Sequence, residues 1–316
     1  MHTTTQLFKQ VTVITSARLH MGFYDLSHGA HQFGGLGLTL DAPNTQVKVS
    51  TSEKLLIDAK SSENTAKIID KLVKSFNLPE IFSVNVLQNI PQHAGLGSGT
   101  QMALAIGESL NQLFNLKLSI AQIAAAAGRG RRSGIGIGAF ELGGLLVDNG
   151  KQGNAQTSIA SRMSFPSDWR VLLISDSAHV GVHGALELSA FGQLNPAQDN
   201  VKNLVFKYML PALQRDDLLA FGAYMIDLQA YNGEYFAPIQ GGVYASQDVA
   251  KVLAWLQANG AACVGQSSWG PTGFAILRSQ LASDLKNQAQ LAFAAKPNIG
   301  FNIVRGKNSG AEIILA

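Results

Sequence analysis

The segment PQHAGLGSGTQ, Pro91 to Gln101, constrains this chain most, because a strand-like pattern enters it and a helical pattern leaves it. Upstream, Phe82, Val84 and Val86 alternate with Ser83 and Asn85, the period of a half-buried strand. Downstream, Met102, Ile106, Leu110 and Leu113 recur at intervals of four, four and three, which is one face of a helix. A glycine loop between strand and helix leaves backbone N–H groups unpaired at the helix start, where the positive end of the helix dipole also lies. That combination favours phosphate. Taken alone, Gly95, Gly97 and Gly99 read equally well as a tight structural turn.

Two familiar phosphate loops fail on this sequence. Walker A ends in Gly-Lys-Ser/Thr, and neither Gly150-Lys151-Gln152 nor Gly306-Lys307-Asn308 does. A dinucleotide fold needs a third small residue and an acid about twenty positions on. Here Gly95-x-Gly97-x-x leads to Thr100, and no Asp or Glu occurs from Ser109 to Phe140. The same acid-free window carries Lys117, Arg129, Arg131 and Arg132. Arginines flanked by glycines suit a bidentate phosphate grip, against the plainer reading of a solvated basic turn.

The rest of the chain reads as α+β. Strand-like runs fill the first 60 residues, and Ser62 to Leu78 has helical spacing that Pro79 ends. Ser119 to Ala127 reads as a helix, and residues 151–168 as a polar connection between lobes. Helical patterns occupy about 198 to 231 and Ser246 to Ala258, the latter with Ser246 as N-cap. Ala261 to Leu277 reads as strand, loop, strand, followed by a helix around 280 to 294 and strands at 299–305 and 311–315. With 316 residues, two lobes are expected, 1–160 and 161–316. Only 14% of residues are charged and the net charge is +3, so no broad basic face is available for nucleic acid. No apolar run is long enough to span a membrane and no secretory signal opens the chain, which points to the cytoplasm. Cys263, the sole cysteine, sits in an apolar stretch and reads as a buried hydrophobe. The pairs His28 with His31 and His179 with His183 lack further matched ligands and do not make a metal site.

PQHAGLGSGTQ resembles the phosphate signature of the GHMP kinase superfamily, and VGQSSWGPTGFAIL, Val264 to Leu277, resembles its C-terminal glycine loop. Six blocks in order are similar to one non-kinase branch, the β-ribofuranosylaminobenzene 5′-phosphate synthases: SARLHMGFYDL, FGGLGLTL, GLGSGTQ, RRSGIGIGAFELGGLLVD, IQGGVYAS and GQSSWGPT. Where several of the kinases carry a catalytic aspartate, this chain has Gly136, which cannot take a proton. The resemblance implies a two-lobed GHMP kinase-like fold, with an N-terminal lobe like domain 2 of ribosomal protein S5 and an α+β C-terminal lobe. It implies a homodimeric pentosyltransferase of tetrahydromethanopterin biosynthesis. Such an enzyme joins phosphoribosyl pyrophosphate to 4-aminobenzoate or 4-hydroxybenzoate, with Mg²⁺, and releases pyrophosphate and carbon dioxide.

On that implication Gly95, Leu96, Gly97, Ser98, Gly99 and Thr100 hold the pyrophosphate. Arg129, Arg131 and Arg132, with Ser133 beside them, are candidates for the 5-phosphate. Arg18 and His20, on alternate residues of one strand face, are candidates for the benzoate carboxylate or the leaving group. Asp25 is a candidate to hold Mg²⁺ or orient His20, while Gln240, Ser268 and Trp269 line the substrate, the indole stacking on the aromatic ring. Two rival readings remain at this point: an ATP-dependent small-molecule kinase of the same superfamily, and a non-catalytic sugar-phosphate binder.

Overall fold

A computed structural model describes residues 8–26, 33–58, 63–150, 157–181, 194, 197 and 201–316. His28, His31 and His183 lie outside the described residues. The described residues form two sheets. The first contains β1 (Gln10–Phe23), β2 (Gly35–Thr51), β3 (Leu56–Ile57), β4 (Phe82–Gln88), β5 (Leu145–Asp148), β6 (Ile159–Met163) and β11 (Glu312–Leu315). The second runs β10 (Ile299–Val304), β7 (Trp169–Asp176), β9 (Gly273–Arg278), β8 (Cys263–Gln266).

β1 is the spine of the first sheet. It pairs antiparallel with β2 over most of its length and with β11 on its other edge, Val11 opposite Leu315. Val11, Val13, Ala17, Leu19 and Met21 are all fully buried. Their removal from water on both sides is the behaviour of an inner strand. Helices α1 (Glu63–Phe76), α2 (Ser98–Leu113) and α3 (Ile120–Ala126) cover one face. The predicted α2 stripe of Met102, Ile106, Leu110 and Leu113 lies in their shared core, with Phe82 against Phe114 at 5.8 Å. Each such side chain contributes about 1.5–3 kcal/mol by burial.

At three places the structure goes beyond the periodicity of the sequence. The glycine run at 128–150 contains a helix, α4 (Ile135–Glu141), hidden because its glycines serve packing rather than chain reversal. A Cβ on Gly138 would stand 2.7 Å from Ile159 Cγ1. The polar connection at 151–168 contains β6, whose alternating half-exposed pattern lacks apolar weight. The helical stretch at 198–231 is two pieces: a π-helical turn (Leu204–Met209) running into α5 (Leu210–Gln214), then α6 (Leu218–Gln240). Asp217 caps α6, its side chain accepting from the Ala220 N–H at 3.0 Å, and Gly241 ends it at φ 80°. Gly233 and Pro238 disguised its last turns. α7 (Gln247–Ala258) starts on Ser246 as expected, the hydroxyl accepting from the Val249 N–H at 3.1 Å, and α8 (Ser279–Ala292) follows.

The two halves share a core that runs from Leu19 and Leu38 in the first sheet to Phe274 and Ile276 in the second, through Phe221, Met225 and Leu228 of α6. The 160/161 boundary runs through β6, and β11 crosses it. We propose it as the limit between the glycine-loop half and the second-sheet half, not between separately folding units. Two buried amides of α6 lock that junction. Gln229 donates to the Met21 carbonyl at 2.6 Å and accepts from the Gln266 N–H at 2.8 Å. Asn232 accepts from the Phe23 N–H and donates to its carbonyl, both at 2.8 Å. Glycine faces each: a Cβ on Gly265 would be 2.5 Å from Gln229 Cδ, and one on Gly22 2.9 Å from Asn232 Nδ2. Replacing Gln229 or Asn232 by Leu strands two buried backbone groups at about 1–3 kcal/mol each. Urea unfolding of either variant is therefore expected to show a loss of about 2–6 kcal/mol.

Candidate active site

Two loops far apart in sequence meet at the start of α2. Gly95 stands at φ 75°, and a Cβ there would lie 2.4 Å from the Ser267 carbonyl oxygen, so the approach requires glycine. Ser267 Oγ donates to the Gly95 carbonyl at 2.7 Å and accepts from the His20 N–H at 3.0 Å. Arg18 Nη1 donates to the same Gly95 carbonyl at 2.7 Å. The Arg18 N–H donates to the Leu96 carbonyl, and the Ser268 N–H to the His20 carbonyl, both at 3.1 Å. β1, the glycine loop and the 267–272 loop are bonded into one unit.

Gly97, at φ 84°, caps α2 without a side-chain bond, and no acid lies in the first turn. The Thr100 and Gln101 N–H groups return to the Gly97 carbonyl at 3.1 Å. Among the described residues nothing engages the N–H groups of Ser98 and Gly99. Both residues line a cavity of about 420 Å³. Arg18, Gly95, Gly97, Thr100, Arg129, Ser268 and Trp269 share that lining, as the sequence suggested. Asn64, Thr65, Asn89, Gln92 and His93 complete the polar wall and were missed; the only sequence signal was their place just inside a helix start and just before the glycines.

Arg129 closes the far side. Its Nη2 lies 3.3 Å from where a Gly99 Cβ would stand, and its Nε is buried without a partner among the described residues. Burial alone holds its pKa below the ordinary value. A desolvated guanidinium beside an uncapped helix start is arranged for an anion. Among the described residues no carboxylate lines the cavity, and no three His, Cys, Asp or Glu converge as a metal cage.

Other sequence candidates fall elsewhere. Arg131 is exposed and Arg132 half-buried, and neither lines the cavity. Ser133 bonds to Asp148, a fully buried carboxylate that also accepts from the Gly134 N–H and, at 2.9 Å, from the Gly150 N–H. Burial nonetheless pushes Asp148 up to about 6, and its role is to hold the start of α4. Leu96 is buried in the core. Asp25 is buried at the end of β1, its main chain bonded to Gly34 and Phe33, and it lines neither cavity described here. Gly136 packs on the glycine loop: a Cβ would meet Thr100 Cγ2 at 2.9 Å, and its carbonyl accepts from Gln101 Nε2 at 2.8 Å. Glycine at 136 thus lets α4 support the loop.

His20 and Gln240 line a second, much smaller cavity of about 20 Å³, which shares Ser268 and Trp269 with the first. His20 is 4% exposed and both ring nitrogens lack a partner. Burial, with a smaller contribution from the Arg18 charge, pushes its pKa down to about 3, so the imidazole is neutral near pH 7. Cys263 is buried as expected, its thiol pushed up to about 12.

The fold is of the GHMP type, with the cavity at the start of α2. Residues 63–144 match the model of the GHMP kinases N terminal domain, and residues 209–295 that of the GHMP kinases C terminal domain. The chain is 30% identical over 323 residues to the beta-ribofuranosylphenol 5′-phosphate synthase of Archaeoglobus fulgidus, covering 95% of this chain and 98% of that one. It belongs to that family within the GHMP superfamily. Among solved structures, a putative homoserine kinase of Listeria monocytogenes superposes with TM-score 0.68 at 18% identity, over 97% of this chain and all of that one. MDDEF in complex with MVAPP, AMPPCP and magnesium superposes with TM-score 0.67 at 14% identity, over 97% of this chain and 99% of that one. No helix among the described residues is long and apolar enough to cross a membrane.

Two outcomes are expected. Arg129→Ala should weaken inorganic pyrophosphate binding, measured calorimetrically, by about ten- to a hundredfold, the worth of a charged hydrogen bond. His20 binds a proton in the unfolded chain below pH 6.5 but in the folded chain only near pH 3. The unfolded state therefore holds the extra proton between those values, and stability falls as the pH is lowered through that window. Relative to His20→Phe, the wild-type protein should lose stability from pH 6.5 downward, read from denaturant midpoints.

Proposed function

We propose that this chain is a pentosyltransferase that joins phosphoribosyl pyrophosphate to 4-hydroxybenzoate, or to its 4-amino analogue, in tetrahydromethanopterin biosynthesis. The C1–oxygen bond of the donor breaks and pyrophosphate leaves with the electron pair. The ring carbon that bears the carboxylate attacks C1, and the carbon–carboxylate bond then breaks, returning its pair to the ring and releasing carbon dioxide. The substrates supply the nucleophile and the leaving groups. The protein must neutralise the departing pyrophosphate, align two reactants and exclude water.

The observation that carries this reading is the cavity at the start of α2: uncapped N–H groups, Arg18 and Arg129 on its walls, and no carboxylate. Each well-placed donor to developing negative charge contributes about 3 kcal/mol to the rate. We assign the Gly95–Thr100 amides, the Ser98 and Thr100 hydroxyls and Arg129 to the pyrophosphate, and Arg18 to the benzoate carboxylate. Mg²⁺, when bound, would be held beside the donor by the hydroxyls and amides of the cavity, such as Ser98, Thr100, Asn64 and Asn89, and would supply positive charge to offset the departing pyrophosphate. Gly136 suits the same chemistry, since no enzymic base is needed at that point. A cytoplasmic homodimer is part of the proposal.

Incubation with phosphoribosyl pyrophosphate, Mg²⁺ and carboxyl-labelled 4-hydroxybenzoate should release labelled carbon dioxide and pyrophosphate in equal amounts. If no label is released while ATP is turned over to ADP on an alcohol, the chain is a kinase instead. Binding of the donor without turnover of either kind makes it a sugar-phosphate binder.

A further inference from the structure

Most polar groups on the walls of the smaller cavity are already bonded among the described residues. Gln229 and Asn232 are committed to the main chain of β1, as described above. Gln240 Nε2 donates to the Val243 carbonyl at 2.9 Å, and Gln266 Nε2 to the Ser268 carbonyl at 3.1 Å. Among the described residues the two ring nitrogens of His20, both buried, find no hydrogen-bond partner. A ligand that bonds to them recovers the cost of leaving such groups without a partner.

The setting of that imidazole indicates what it meets. Its ring lies 4.4 Å from Phe23, and Phe236 lies 4.6 Å from Trp269, so the walls are aromatic. The volume of about 20 Å³ admits one water-sized group and no ring. Ser268 and Trp269 line both cavities, so the two adjoin at those residues. Arg18 and His20 are alternate residues of β1 in unbroken register with β2. They project from one face about 6.7 Å apart along the strand, the scale of the span from the carboxylate of a benzoate to its para substituent.

We propose that the small cavity receives the para substituent of the aromatic acid, and that His20 selects a hydroxyl or an amine there over an apolar group of the same size. The inference rests on the proposed function and adds a direction to it. With the carboxylate at Arg18, the reacting carbon faces the ribosyl donor and the para group points away into the wall. A hydroxyl both donates and accepts, and an imidazole offers one donor and one acceptor, so either tautomer makes a bond; a methyl group makes none.

The test is a ligand series on the full-length protein with pyrophosphate and Mg²⁺ present, using 4-hydroxy-, 4-amino-, 4-methyl- and 4-propoxybenzoate. The hydroxy and amino acids should bind at least tenfold tighter than the methyl acid, and the propoxy acid, too long for the cavity, weakest. In His20→Phe the preference for hydroxy over methyl should vanish, while pyrophosphate affinity stays within twofold. Retention of the preference in a folded His20→Phe protein overturns the assignment. Equal binding of propoxy and hydroxy acids in the wild-type protein overturns it too, without any variant. The proposed function is judged separately by labelled carbon dioxide from the wild-type protein: release with no para selectivity sinks the subsite alone, and no release with no benzoate binding sinks both.

Discussion

The contact on which the site depends is the approach of the Gly95 main chain to the Ser267 carbonyl. No side chain fits between them, and the bonds from Ser267 and Arg18 converge on one carbonyl oxygen of the glycine loop. The loop therefore cannot drift relative to β1 or to the loop of the second sheet. Its free N–H groups are held in place before any ligand arrives, which is where electrostatic stabilisation of a leaving group draws its strength. The amides Gln229 and Asn232 extend the same junction along β1, so the two sheets meet through satisfied polar groups as well as a shared core.

Around that fixed point charge is distributed sparingly. Among its described lining residues the cavity has guanidinium groups and backbone donors and no acid, and the buried carboxylate Asp148 is turned to supporting α4. His20, two residues from Arg18, is held neutral by burial and by that positive neighbour. A cationic cavity and an uncharged aromatic-walled one thus adjoin across Ser268 and Trp269, a division suited to one polyanionic and one aromatic reactant.

Much of the fold was legible because periodicity survives where packing is regular. The α2 stripe, the Ser246 cap and the strand pair of Ala261 to Leu277 are local patterns with local causes. α4 and the end of α6 were not, since Gly136, Gly138 and Gly233 are chosen by neighbours from other elements. The site followed the same rule. Arg129 and the glycine loop were readable from their residue types, whereas Arg131 and Arg132, identical in type and two or three positions away, face elsewhere. Asn64, Asn89 and Gln92 carry no signal of their own; only the folding of α1 and the end of β4 toward α2 brings them to the cavity.

The sequence by itself determined the strand–glycine loop–helix unit and the absence of acid through the segment that follows it, Gly136 included, because each is written in consecutive residues. Only the tertiary structure decided which arginine serves the cavity, that Gly136 supports Thr100, and that His20 is neutral. Those outcomes depend on burial and on contacts between residues as far apart as 20 and 267, and no local pattern encodes the desolvation that such contacts impose.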